Sequence, residues 1–262
     1  MEVNLKNCGY CKLCRKYSQL QNSHAIGDTI FKKITRRNSG KAISVTAEMS
    51  VPVHYTSDSW AEYQLCAVCE GLLNKRYETY AVNLLRGKYS AKISKTGVTF
   101  NNVDQGLLKK YFLSIIWRSV LSTHPAYDNT SMLPQDLEYI RLVLLNDLDV
   151  PNSKYTIKVQ RVQDMSIHPT FTPQTIKELI VSPFCRTYSN PTNVSVCLLF
   201  EGFFIEVLYK AVAPRERKCF GILNSNSSSL FVPFVNIFSI REVYDLMALG
   251  HDKNQNGITL VR

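Results

Sequence analysis

The stretch LCAVCEGLLNKRYETYAVNLLR, residues 65–86, decides how this chain folds. A C-x2-C pair passes without a linker into a helical pattern. Leu73, Tyr77, Tyr80, Ala81, Leu84 and Leu85 recur on one side, which predicts a helix of about four turns starting at the pair. Glu70, Asn74 and Glu78 are spaced i, i+4, i+8 and share another edge, beginning beside the cysteines. Working back along the chain, CKLC at 11–14 is a second C-x2-C pair. Two such knuckles, Cys11 with Cys14 and Cys66 with Cys69, can supply the four thiolates of a tetrahedral Zn2+ site. The 51 residues between Cys14 and Cys66 exceed a simple ribbon, so a folded insertion must separate the knuckles. Cys8 offers an alternative first pair, CGYC at 8–11. Cys185, Cys197 and Cys219 have no ligand spacing and read as core or isolated thiols.

The chain has 262 residues, 45% hydrophobic and 20% charged, enough to bury a core and too apolar for disorder. It lacks a run of about 18 apolar residues, and MEVNLKNCGYC has no signal-peptide apolar region; the expectation is a cytoplasmic protein with no membrane span. In a reducing compartment, metal binding explains the paired cysteines better than disulfides do. The net charge of +10 is uneven: residues 1–110 hold 17 basic and 8 acidic side chains, residues 111–262 hold 14 and 13. Lys32, Lys33, Arg36, Arg37 and Lys41 fall within ten residues that contain no acid. They are candidate phosphate contacts, with a solvated helix face or loop as the plain alternative. Motifs for nucleotide hydrolysis, dinucleotide redox chemistry and α/β-hydrolase chemistry are absent.

The fold class expected is α+β. Residues 1–90 read as a zinc-binding module and 91–262 as a mixed helix and antiparallel-strand domain. Within the insertion, NSHAIGDTIFKKI predicts a loop leading to a short helix, and AISVTAEM a strand. LLKKYFLSIIWRSVL predicts an amphipathic helix over about 107–122, with Leu108, Phe112, Ile115, Ile116 and Val120 on its apolar stripe and Lys110, Ser114, Arg118 and Ser122 on its polar one. Pro134 suits the first turn of a helix over about 134–147. Strands follow residue 154. VSVCLLF and FFIEVLYK form a hairpin turning at Glu201 and Gly202, LFVPFVNIF is demoted toward an edge by Pro233, and EVYDLMALGHD is a short helix ended at Gly250. The 14 Tyr and 12 Phe allow a stacking surface for single strands, although core packing is their default role.

His24, ten residues after Cys14, lies in LQNSHAI. The order CKLC, LQNSHAI, LCAVCE and a later LSIIWR resembles zinc-stabilised HNH nuclease modules, and more closely a bacterial group with CxxC…LxxSHxI…LCxxCE and an LSxxWR helix. The resemblance spans residues 11 to about 145, and some kin of that group are thought to act in defence against phage. It implies a treble-clef module with Cys11, Cys14, Cys66 and Cys69 on structural zinc. It also implies His24 as general base, with Glu70 and Asn74 or Glu78 helping to hold a catalytic Mg2+ or Mn2+. The chain departs from the pattern twice: Ser23 precedes the histidine where Asp is frequent, and no His lies on the helix after the second knuckle. His24 therefore keeps three readings, as base, as structural group, or as zinc ligand. His54, His124, His168 and His251 show no ligand spacing.

Two functional expectations stand side by side. One is a metal-dependent endonuclease acting on nucleic acid, DNA in the first instance, as an anti-phage effector. The other is a non-catalytic zinc module that binds nucleic acid or a partner subunit, including a second copy of the chain. A site completed by another chain is a variant of the second.

Overall fold

The first knuckle is a tight turn between two strands. The computed structural model describes residues 7–36, 39–188, 194–209, 215–216 and 219–261. Strand β1 (Cys8–Tyr10) runs into CKLC, where Arg15 takes a left-handed φ of 62° and its N–H donates to the Cys11 carbonyl at 2.8 Å. The chain returns as β2 (Tyr17–His24). The insertion then supplies helix α1 (Asp28–Thr35) and a short hairpin of β3 (Ala42–Ser44) and β4 (His54–Thr56). Strand β5 (Ala61–Cys66) pairs antiparallel with β2, placing His24 opposite Ala61 and Leu20 opposite Cys66. The sheet order is β1-β2-β5. NSH is thus strand rather than loop, because it finds a partner in β5, and only three residues of AISVTAEM pair.

From Cys66 the chain enters helix α2 (Ala67–Leu73), widens into one π turn over Asn74–Glu78, and continues as α3 (Thr79–Leu85). The long helix read from the sequence is therefore present but interrupted. A π turn rotates the side chains after it relative to an unbroken α-helix.

Beyond it come β6 (Ala91–Ile93), β7 (Gly97–Phe100), α4 (Gln105–Leu121), α5 (Pro134–Asn146), β8 (Thr156–Gln163), α6 (Pro173–Lys177), β9 (Val181–Thr187), β10 (Val194–Phe200), β11 (Phe203–Leu208), β12 (Leu230–Asn236) and α7 (Arg241–Gln255). The strands make a seven-stranded sheet in the order β6-β7-β12-β8-β11-β10-β9, antiparallel throughout except for the β12–β8 pair. The whole is a mixed α/β fold. Val196, Leu198 and Phe200 of β10 join one hydrophobic cluster, whereas Cys197 and Leu199 join another with Ile176 of α6 and Val243 of α7. Both faces of β10 are buried, and this is why VSVCLLF shows no polar alternation.

The larger cluster crosses residue 90: Cys11, Leu13, Ile26, Leu65 and Leu73 share it with Phe112, Ile116, Val159 and Val232. Helix α4 lies at its centre. Most of its polar row is buried, not solvated: Lys110, Ser114 and Arg118 are inside, as is the neighbouring Lys109, while Ser122 is half-buried. Partners from elsewhere in the chain meet the two lysines: Lys110 Nζ donates to Asp147 Oδ1 at 2.7 Å, and Lys109 Nζ donates to Asn152 Oδ1.

The β10–β11 hairpin turns at Glu201 (φ 51°) and Gly202 (φ 73°), the left-handed pair a two-residue I′ turn requires. The buried Glu201 carboxylate accepts from Lys33 Nζ at 2.6 Å and Arg86 Nε at 2.8 Å, so this turn is pinned to α1 and the end of α3. Pro233 is not at an edge. Strand β12 pairs with β7 through Leu230–Pro233 and with β8 from Phe234 onward, and proline marks the change of partner, where its missing N–H costs no ladder bond.

Helix α7 also departs from expectation, running past Gly250 to Gln255. Lys253 holds it there: fully buried, its Nζ donates to the carbonyls of Thr46, Glu48 and Val51 at 2.7–2.8 Å. Lys253→Ala leaves three inward carbonyls without their donor. The expected cost is about 2–5 kcal/mol, read as a lower denaturant midpoint. Among the described residues, no helix is long and apolar enough to cross a membrane.

Candidate metal centre and the histidine beside it

Cys11, Cys14, Cys66 and Cys69 converge: their sulfurs all lie within 4.8 Å of one another, and Cys14 Sγ is 3.9 Å from Cys66 Sγ. Sulfurs at about 2.3 Å from a tetrahedral zinc are roughly 3.8 Å apart, so the spacing fits the ion, whereas a disulfide would need about 2 Å. All eight cysteines are free thiols. This group can hold a metal ion, and a four-sulfur donor set suits zinc. Burial pushes the Cys11 and Cys69 thiols up, so the charge of a bound cation would be what keeps them as thiolates.

The architecture explains why the two pairs meet. The first pair lies in the β1–β2 turn, the second at the β5–α2 junction, and Lys12 N–H donates to Gln64 O at 3.0 Å between them. Arg141 of α5 braces the first turn by donating to Leu13 O at 2.7 Å. Cys8, opposite Gln19 on β1, is outside the convergent group, and so is His24.

His24 ends β2. Its Nε2 lies 2.9 Å from Ser59 Oγ and 3.8 Å from Asp28 Oδ1, and its carbonyl accepts from Arg118 Nη1 at 2.5 Å. Burial lowers the imidazole below its ordinary range, and the nearby carboxylates of Asp28 and Glu70 oppose that shift. Helix α2 and the π turn bring Glu70 and Glu78 to the same place. Glu70 Oε1 and Glu78 Oε2 are each 4.0 Å from the Arg118 guanidinium. Burial raises the Glu78 carboxyl, Arg118 opposes this, and Glu70 and Asp28 add to it. A Cβ on Gly27 would lie 2.0 Å from Glu78 Oε1, so glycine is what lets this carboxylate close on the backbone.

Asn74 parts company with its predicted neighbours. It is exposed and tied to Thr79, whose hydroxyl donates to the Asn74 carbonyl at 3.0 Å. The π turn separates it from the edge on which regular i+4 spacing put all three residues. Of the basic run, Lys32 is ion-paired with Asp28 and Lys33 with Glu201. Arg36 and Lys41 are exposed, and Arg37 lies outside the described residues.

The sequence reading did not single out Asp28, Ser59 or Arg118 for this site. Asp28 was findable as the i+4 neighbour of His24, and Arg118 as the arginine of LSIIWR. Ser59, 35 residues from His24, left no signal. Arg118 is 2% exposed, and its Nη2, like Glu70 Oε2 and the Tyr111 hydroxyl, is buried without a hydrogen-bond partner among the described residues. Arg118→Ala should leave Glu70 and Glu78 uncompensated and free the His24 backbone. The expected loss is about 3–5 kcal/mol in chemical unfolding, with zinc content retained by the folded fraction.

The site and fold define a mixed α/β protein with a four-cysteine group that can hold a metal ion and a half-buried histidine near a group of carboxylates. The chain matches no family model, and no curated protein or solved structure shows significant similarity to it.

Proposed function

We propose that this chain is a zinc-stabilised, HNH-like protein that hydrolyses phosphodiester bonds in nucleic acid, DNA in the first instance, as an effector of anti-phage defence. One arrangement carries the reading: two antiparallel strands and a following helix, anchored by the cysteine group, bring His24 at the end of β2 near the Asp28 and Glu70 carboxylates, with Glu78 linked to it through Arg118. In this reading the cysteine module is a treble clef and its zinc is structural. Asp28 and Glu70 would hold a divalent Mg2+ or Mn2+, which prefers hard oxygen donors and would polarise the scissile phosphate. His24, kept neutral by burial, takes the proton from the attacking water. Arg118 fixes the His24 backbone, and Ser59 fixes its ring. Arg36 and Lys41 are free to meet phosphates, giving an affinity that falls with salt.

The test is nicking of supercoiled plasmid by the purified full chain with Mg2+ or Mn2+. A second reading has its own support. The buried Arg118 guanidinium lies between Glu70 and Glu78, where it competes with a cation for their charge. A module whose site is filled in this way binds nucleic acid or a partner subunit without cutting. Salt-sensitive DNA binding with no nicking under any divalent ion would favour it.

A further inference from the structure

On the three-stranded sheet, Tyr10 of β1 and Tyr17 of β2 are cross-strand partners. Their rings meet edge to face with centroids 5.4 Å apart, yet they remain 72% and 62% exposed. Two tyrosine rings exposed side by side offer aromatic surface to a ligand. The surrounding charge is positive: Arg15 and Lys16 lie in the turn that joins the two strands, and both are exposed. Glu138 meets Arg15 from α5, while Lys16 has no acidic partner within ion-pair distance among the described residues.

We infer that Tyr10 and Tyr17 form a stacking platform for unpaired nucleobases, with Lys16 and Arg15 meeting the flanking phosphates, so that the preferred ligand is single-stranded nucleic acid. The inference rests on the nucleic-acid reading above and narrows its substrate class. Every base has a π face, so such a platform is indifferent to sequence, but a base within a duplex offers its face only to its neighbours. Tyr17 and His24 are the two ends of β2, about 23 Å apart at roughly 3.3 Å per residue. A strand held on the platform therefore needs several nucleotides to reach the histidine.

The experiment measures fluorescence anisotropy of a labelled 20-nucleotide oligo(dT) and of a labelled duplex, with the full chain and no added Mg2+ or Mn2+. The double variant Tyr10→Ala, Tyr17→Ala should bind oligo(dT) about 10–100-fold more weakly, with duplex binding and zinc content unchanged. Tyr10→Phe with Tyr17→Phe, which keeps both rings, should bind like the wild type. Wild-type oligo(dT) affinity in the alanine variant, beside normal wild-type binding, overturns the platform and leaves the nucleic-acid reading standing. Equal losses on oligo(dT) and duplex also overturn it. Failure of the wild type to bind either probe at low salt removes both inferences. A change of oligomeric state in the alanine variant without a change in oligo(dT) affinity assigns the face to a second copy of the chain.

Discussion

Cys66→Ser is expected to remove the metal and with it the fold of the first 90 residues. Wild-type protein should carry close to one zinc per chain by elemental analysis, and the variant close to none. Structural zinc in small modules is worth about 10–16 kcal/mol of apparent binding free energy at neutral pH, comparable to the whole stability of a typical domain. The strands that frame the cysteines are short: β1 has three residues and β5 has six. Cys66 also closes β5 against Leu20 and begins α2, so its loss loosens strand pairing and helix entry together. Because the same hydrophobic cluster crosses residue 90, the melting transition of the whole chain should fall, and chelator treatment of the wild type should reproduce the shift. Cys8→Ser should change neither zinc content nor melting. Full zinc retention by Cys66→Ser would refute the four-thiolate site.

His24→Ala carries the second large effect. Removing a general base costs about 10²–10⁴-fold, so nicking by the variant should fall to the limit of detection while zinc content and the melting curve are kept. The pH profile gives an independent readout. Burial holds the imidazole below its ordinary value of 6.5, so cleavage should rise with pH along a limb centred below 6.5 and be level through neutral pH. The same shift acts on stability. Between the lowered folded value and 6.5 the unfolded chain binds the extra proton, so stability declines as pH falls through that window and is fully present above it. A limb centred above 6.5, or cleavage indifferent to the substitution, would remove His24 from the chemistry.

Legibility in the sequence followed the range of the interaction. The cysteine pairs were readable because two thiolates on one knuckle are a local requirement. The β10–β11 turn was readable because Glu201-Gly202 between two apolar runs needs left-handed backbone. The helix after Cys69 was readable from its period, but its π turn was not: Asn74 and Glu78 look equivalent until packing widens the helix and turns one to solvent and the other toward Gly27. Helix α4 shows the same limit. Its polar row looks like a water-facing stripe, yet Lys110 and Arg118 are buried, where the Asp147 carboxylate and the His24 carbonyl, distant in the chain, accept from them.

The sequence by itself determined a two-knuckle metal group, a mixed set of helices and strands, and a basic excess confined to residues 1–110. Only the tertiary structure decided that Cys8 and His24 stand outside the metal group. It alone brought Asp28, Ser59 and Arg118 to His24, and it engaged Lys32 and Lys33 in ion pairs while leaving Arg36 and Lys41 exposed. The physical reason is common to all of these. Ligand spacing and periodicity act over a few residues, whereas a buried charge is tolerated only where the folded chain brings its counter-charge, and that partner can come from any point in the sequence.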